Sequence, residues 1–123
     1  MNVECKKIIK TFIPKEEHSA KHVSSGNLMV LSTPSLVGFV ENSAREIAEE
    51  NLPDNYTTVG TLVNIKHIKA SKIGHEVEIH VLLLNYENSK FTFYFEAFSE
   101  GKKIATGTHE RAVVNKEEFL KNL

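Results

Sequence analysis

The sequence predicts an α+β fold in which one long helix lies across an antiparallel sheet. Three observations predict it. Residues 33–51 place Leu36, Val37, Val40, Ala44, Ile47 and Ala48 on one arc at about 100° per residue. After Pro53 the period changes to two: Val77, Ile79, Val81 and Leu83 share one face, and so do Phe91, Phe93, Phe95 and Ala97. Turn residues separate these runs at Ser71-Lys72-Ile73-Gly74, at Asn85 to Ser89 and at Glu100-Gly101-Lys102. A helix that buries one stripe against one face of a sheet makes a two-layer sandwich.

Residues 2–13 mix Lys with Val3, Ile8, Ile9, Phe12 and Ile13, and read as an edge strand running into Pro14. Lys15 to Gly26 reads as a loop with a short helical turn, which would set His18 and His22 one turn apart. That spacing holds a metal only with a third ligand, none is visible nearby, and no metal site is expected. Thr33 offers a hydroxyl to cap the helix, and Pro34 suits its first position. Phe39 widens the apolar arc, so the helix should be deeply packed. Glu41 sits at the edge of that arc, where a carboxylate must reach water or find a partner. Arg45, one turn on, is the local candidate.

From Thr57 to Ala70 the odd positions Val59, Thr61, Val63, Ile65 and His67 line one face of a strand. Two further strands follow, then a last one from Ile104 to Val114, and the four are expected to form a meander in chain order. Asn115, with Glu118 three residues on, opens a short terminal helix holding Phe119 and Leu120. Leu82, Leu84 and Phe98 are apolar on the outward face, so a second subunit is expected to cover them.

The chain has 123 residues, enough for a single domain spanning 1–123. Its apolar and charged fractions, 41% and 25%, are those of an ordinary soluble protein. A net charge of −1 argues against a nucleic-acid partner. Uninterrupted apolar runs such as Val81 to Leu84 are far too short to span a bilayer, so no membrane role is expected. The lone Cys5 makes no internal disulfide, and the start lacks the pattern of a signal peptide. The expected location is cytoplasmic.

His67 continues the inward register of its strand and needs a hydrogen-bond partner there; Glu41 is the natural candidate. Carboxylate, imidazole and the Thr33 hydroxyl are the ingredients of acyl transfer, although Thr33 also reads simply as a cap. Gly60, inside a strand, marks either a bulge or a place where a ligand meets the backbone N–H. His109-Glu110-Arg111 reads as a solvated edge, an interface network or part of a ligand rim, with the interface ranked first. The sequence holds no Gly-x-Ser-x-Gly elbow, no phosphate loop and no His-Glu-x-x-His.

Three segments together, Thr33-Pro34-x-x-Val37-x-x-x-Glu41, Val59-Gly60-Thr61-x-Val63-x-x-x-His67 and Gly107-Thr108-His109-Glu110-Arg111-Ala112-Val113-Val114, resemble the fluoroacetyl-CoA thioesterase-like group of hotdog-fold proteins. The resemblance runs from about residue 14 to 120. It implies a hotdog fold, a long central helix wrapped by an antiparallel sheet. It also implies a homodimer or dimer of dimers, with the acyl thioester bound between subunits. Thr33, Glu41 and His67 match the family's catalytic threonine, glutamate and histidine; Gly60 and Arg111 match its substrate-binding positions. The implied reaction is hydrolysis of an acyl-CoA thioester, with CoA as part of the substrate and no separate cofactor.

The chain departs from the fluoroacetyl-selective pattern in one place. Pro14 to Val37 holds no aromatic residue, and Ser24-Ser25-Gly26-Asn27 fills its middle. The expected substrate is therefore a general short or medium acyl-CoA, with Lys66, Lys69 and Lys72 as candidates for the CoA phosphates. The alternative is a non-catalytic acyl-CoA binding or sensing module on the same fold. A hotdog hydratase is disfavoured, because the helix carries an acid at Glu41 and no histidine.

Overall fold

A computed structural model describes residues 6–123. Val3, at the start of the expected first strand, and Cys5 lie outside them. The elements are β1 (Lys7–Phe12), α1 (Thr33–Glu49), β2 (Tyr56–His67), β3 (Val77–Glu87), β4 (Lys90–Ser99), β5 (Lys102–Asn115) and α2 (Lys116–Lys121), with a 3-10 turn at Glu16–His18.

The helix begins where the sequence places it, but its cap differs. Ser32, not Thr33, is the N-cap, and its side chain accepts from the Ser35 N–H at 3.1 Å. Ser32 is extended, so its hydroxyl turns back over the free amides of the first turn. The Thr33 hydroxyl is left for other work. Leu36, Phe39, Val40, Ser43, Ala44, Ile47 and Ala48 are buried on the inner face. Val37 lies at its rim, half-buried.

The five strands run in the order β1-β3-β4-β5-β2, every neighbour antiparallel. Only β3, β4 and β5 form the expected meander. β2 crosses to the far edge and pairs with β5, from Tyr56 opposite Asn115 to His67 opposite Ala105. Side-chain alternation fixes which face a strand buries and says nothing of its neighbours. Val77, Ile79, Val81, Leu83, Phe91, Phe93, Phe95 and Ala97 are buried and meet α1 in the core.

β2 also departs from a single alternation. Its register shifts between Gly60 and Leu62, leaving Thr61 as an extra residue. Thr58 is therefore buried before the bulge, while Thr61 is exposed. Beyond it Val63 and Ile65 pack against the core, in phase with His67. The inward reading holds for Val63, Ile65 and His67, and fails for Val59 and Thr61, which precede the register shift or fall in it.

The terminal helix forms with Asn115 accepting from the Glu118 N–H, but Phe119 and Leu120 remain exposed. Outward Leu84 is 52% exposed and Ile9 on the β1 edge likewise. No helix among the described residues is long and apolar enough to cross a membrane. Replacing Ser32 with Ala should cost about 1 kcal/mol of folding stability, read as a lower urea midpoint. An unchanged midpoint would mean that another group caps α1.

Candidate active site

Two clusters lie at opposite ends of β2. The first joins the start of α1 to the end of β2: Thr33 Oγ1 and His67 Nδ1 are 2.7 Å apart. The other ring nitrogen, Nε2, is buried and has no hydrogen-bond partner among the described residues. Burial pushes the His67 imidazole below its ordinary value; the Lys69 backbone offsets this in part without bonding Nε2. A depression of about 260 Å³ opens over this pair, lined also by Ala20, Ser25, Val30, Ser32 and Ala70.

The second cluster surrounds the bulge. Glu41 does not pair with Arg45, which turns instead to Glu49 at 3.1 Å. Its carboxylate lies 3.5 Å from an Arg111 nitrogen and directly over Gly60, where any side chain would collide with it. Arg111 is buried and almost fully engaged. Nε donates to Thr58 Oγ1 at 2.8 Å, a terminal nitrogen to the Thr58 carbonyl at 3.1 Å, and the other to His109 Nε2 at 3.3 Å. The Thr58 hydroxyl donates in turn to Glu49, which also accepts from Thr57 and the Thr58 N–H. Burial pushes Glu49 up, yet these hydrogen bonds outweigh it and hold the carboxyl below its usual range. That matters because Glu49 ends a helix, where the partial negative charge disfavours an anion.

His109 completes this cluster. It is fully buried, and its ring stacks on Phe93. Nδ1 lies 2.8 Å from the Leu62 carbonyl and must donate to it, so Nε2 accepts from Arg111. Burial, aided by the Arg111 charge, keeps His109 below its ordinary value and neutral. His109 and Arg111 thus face inward within one chain, and the interface ranking made for them is corrected. The signal was present in sequence: 109 and 111 share the parity of Ala105 and Gly107 opposite the phenylalanines of β4.

The expected contact between Glu41 and His67 is absent within one chain. Gly60 and His67 are seven residues apart on β2, about 20 Å, and Thr33 and Glu41 are eight apart on α1, about 12 Å. No hydrogen bond or ion pair among the described residues links the clusters. His18 accepts from the Lys15 N–H and packs edge-on to Phe39. Among the described residues, no three His, Cys, Asp or Glu side chains are grouped to hold a metal.

Two outcomes follow from this geometry. His67 and His109 both have lowered proton affinity in the fold, so the unfolded chain binds more protons as pH falls. Stability should be level above the ordinary histidine value of 6.5 and fall below it; urea midpoints between pH 8 and pH 5 measure this, and a flat profile contradicts it. Gly60→Ala should change stability by less than about 1 kcal/mol, since the obstructing group is a mobile carboxylate tip. A crystal structure of that variant should show Glu41 displaced from Arg111.

A family model described as fluoroacetyl-CoA-specific thioesterase matches residues 3–117. The fluoroacetyl-CoA thioesterase of Streptantibioticus cattleyicolor is 28% identical over 90 residues, 73% of this chain and 65% of that protein. The match thus spans just under two thirds of the curated relative's length. A solved structure of the fluoroacetyl-CoA thioesterase FlK superposes with a TM-score of 0.93 at 23% identity, covering 99% of this chain and 94% of that one. A hot-dog-like protein from Thermanaerovibrio acidaminovorans gives 0.87 at 19% identity, covering 96% and 87%. These likenesses show that the helix-on-sheet architecture is the hotdog fold.

Proposed function

This chain belongs to the fluoroacetyl-CoA-specific thioesterase family, and from that premise we propose that residues 1–123 form a single hotdog unit hydrolysing a short or medium acyl-CoA to a carboxylic acid and CoA. The observation that carries the reading is the Thr33–His67 contact of 2.7 Å beside a buried, unpartnered imidazole nitrogen. A hydroxyl on one ring nitrogen and a vacant site on the other are what a proton relay needs. The FlK structures include one with fluoroacetate and CoA and one with acetyl-CoA, which supports a CoA ester as substrate here. Besides Thr33 and His67, the depression is lined by Ala20, Ser25 and Val30 and, among the described residues, by no Phe, Tyr or Trp, which favours a general short acyl group over a fluorinated one.

A second copy of the chain completes the site. β2 lies at the sheet edge with its outer side unpaired among the described residues. Antiparallel pairing of two β2 strands, centred between Val63 and Asn64, sets each His67 opposite the partner's Gly60. The partner's Glu41, which lies over that glycine, then reaches the vacant side of His67. The homodimer, alone or paired into a dimer of dimers, is the unit that works.

In that site His67 takes a proton from the attacking water, relayed or held by the Thr33 hydroxyl. The water oxygen bonds to the thioester carbon, the C–S bond breaks, and the imidazolium returns its proton to the departing thiolate. Glu41 from the partner orients the ring and stabilises its charged form. The start of α1 and the N–H of the partner's Gly60 face the negative charge that develops on the carbonyl oxygen, and one such donor is worth roughly 3–4 kcal/mol. Arg111 has spent its donors on Thr58, His109 and Glu41. Its part is to hold Glu41 rather than to touch the substrate.

Glu41→Gln and His67→Ala should each lose most turnover and keep the wild-type fold, measured as thiol release from a panel of acyl-CoAs. Refolded together in equal amounts, the two variants should recover about a quarter of wild-type activity, because half the dimers are mixed and each carries one intact site. No recovery would place both groups in one subunit. Binding of CoA esters without thiol release by the wild type would make the protein a binding module.

A further inference from the structure

We infer that Thr58 and Glu49 are positioning residues of the thioesterase site: through the guanidinium of Arg111 they set where Glu41 points its carboxylate. The role rests on the thioesterase reading and reaches one layer behind it. Glu41 needs such support. Its side chain is 39% exposed, and among the described residues Arg111, at 3.5 Å, is its only ion-pair partner. A pair so open to water holds a carboxylate weakly. Precision then has to come from the cation that faces it.

That cation is fixed from behind. A guanidinium is a flat fork, so anchoring two of its nitrogens sets the direction of the third. Both anchors of Arg111 are on Thr58: Nε donates to the hydroxyl at 2.8 Å and one terminal nitrogen to the carbonyl at 3.1 Å. The remaining nitrogen is thereby aimed at Glu41 and at His109 Nε2. Thr58 and Arg111 are each 5% exposed, so water does not replace a lost anchor without cost.

Thr58 is oriented in turn. Its hydroxyl can rotate, and it accepts from Arg111 only when its proton points elsewhere. Glu49 draws that proton, lying 2.7 Å from the hydroxyl oxygen. An ionised carboxylate only accepts, so a lone pair of the hydroxyl is left for Nε. Burial disfavours the charged form of Glu49, yet the hydrogen bonds from Thr58, Thr57 and Arg45 outweigh it. Arg45 meets Glu49 from the solvent side at 3.1 Å, giving that carboxylate a cation of its own besides Arg111. Glu41 and Glu49 both leave α1, so one rigid helix carries the two ends of this chain of contacts. Because Glu41 serves the partner's His67, Thr58 and Glu49 of one subunit act on the site of the other.

Thr58→Val keeps the side-chain shape without the hydroxyl and should lose about ten-fold in kcat toward an acyl-CoA, with KM held. Thr58→Ser keeps the hydroxyl and should restore wild-type turnover. Glu49→Leu removes the acceptor and should also lower kcat with KM held; it asks the same question if Thr58→Val does not fold. Glu49→Gln, whose amide oxygen still accepts from Thr58, should keep kcat within about two-fold. Lower urea midpoints with kcat unchanged in Thr58→Val and Glu49→Leu would make both residues structural and overturn the inference. So would a loss in Thr58→Ser equal to that in Thr58→Val.

Refolded in equal amounts with His67→Ala, Thr58→Val should reach about a quarter of wild-type activity, because the mixed dimer joins an intact His67 to a subunit with Thr58 and Glu41 intact. Recovery to only about a twentieth, while Glu41→Gln with His67→Ala does recover, would tie Thr58 to the histidine of its own subunit and overturn the inference. If the wild type hydrolyses no ester, the thioesterase reading falls, and a crystal structure of Thr58→Val tests the positioning by itself. The Glu41 carboxylate should then have left Arg111; an unmoved carboxylate overturns the role.

Discussion

The bulge between Gly60 and Leu62 sets the geometry of everything around it. One extra residue lets β2 turn Thr58 and Gly60 inward at one end, and Val63, Ile65 and His67 inward at the other. A strand without it would send one of these sets outward. The bulge is pinned from the neighbouring strand, where His109 donates to the Leu62 carbonyl and accepts from Arg111. Arg111 passes the constraint on to Glu41 across the bare backbone of Gly60. A backbone irregularity, a neutral histidine and a buried guanidinium thus set where one carboxylate lies.

Much of the architecture was legible. The 3.6-residue period of α1 and the alternation in β3 and β4 name their own buried faces, because those faces are apolar without interruption. Strand order was not legible: β2 lies beside β5 by virtue of a crossover that leaves no mark on periodicity. Val59 and Thr61 were misread because a single alternation was carried through the bulge that Gly60 signalled.

The sequence named residues that the fold gathers into two clusters, but not their contacts. Thr33, Glu41, Gly60, His67 and Arg111 all lie in one of the two clusters. The pairings differ from expectation. Local spacing offers Arg45 to Glu41, but Glu49 sits equally close to Arg45 in sequence and is the one turned toward it. His67 meets a hydroxyl from the helix start rather than the carboxylate two turns on. His109 was read first as part of an interface because the parity it shares with Ala105 and Gly107 was not followed along β5, and no sequence declares a tautomer. What revealed it was a carbonyl beside one nitrogen and an arginine beside the other.

Adjacent hydroxyls at the entrance to α1 divide two duties that one residue often shares. Ser32 anchors the first turn, and Thr33 meets the imidazole. Helix capping and the contact with His67 are thereby uncoupled at neighbouring positions. Trimming the Thr33 hydroxyl leaves the anchoring serine in place, so the contact with His67 can be altered without dismantling the scaffold that carries it.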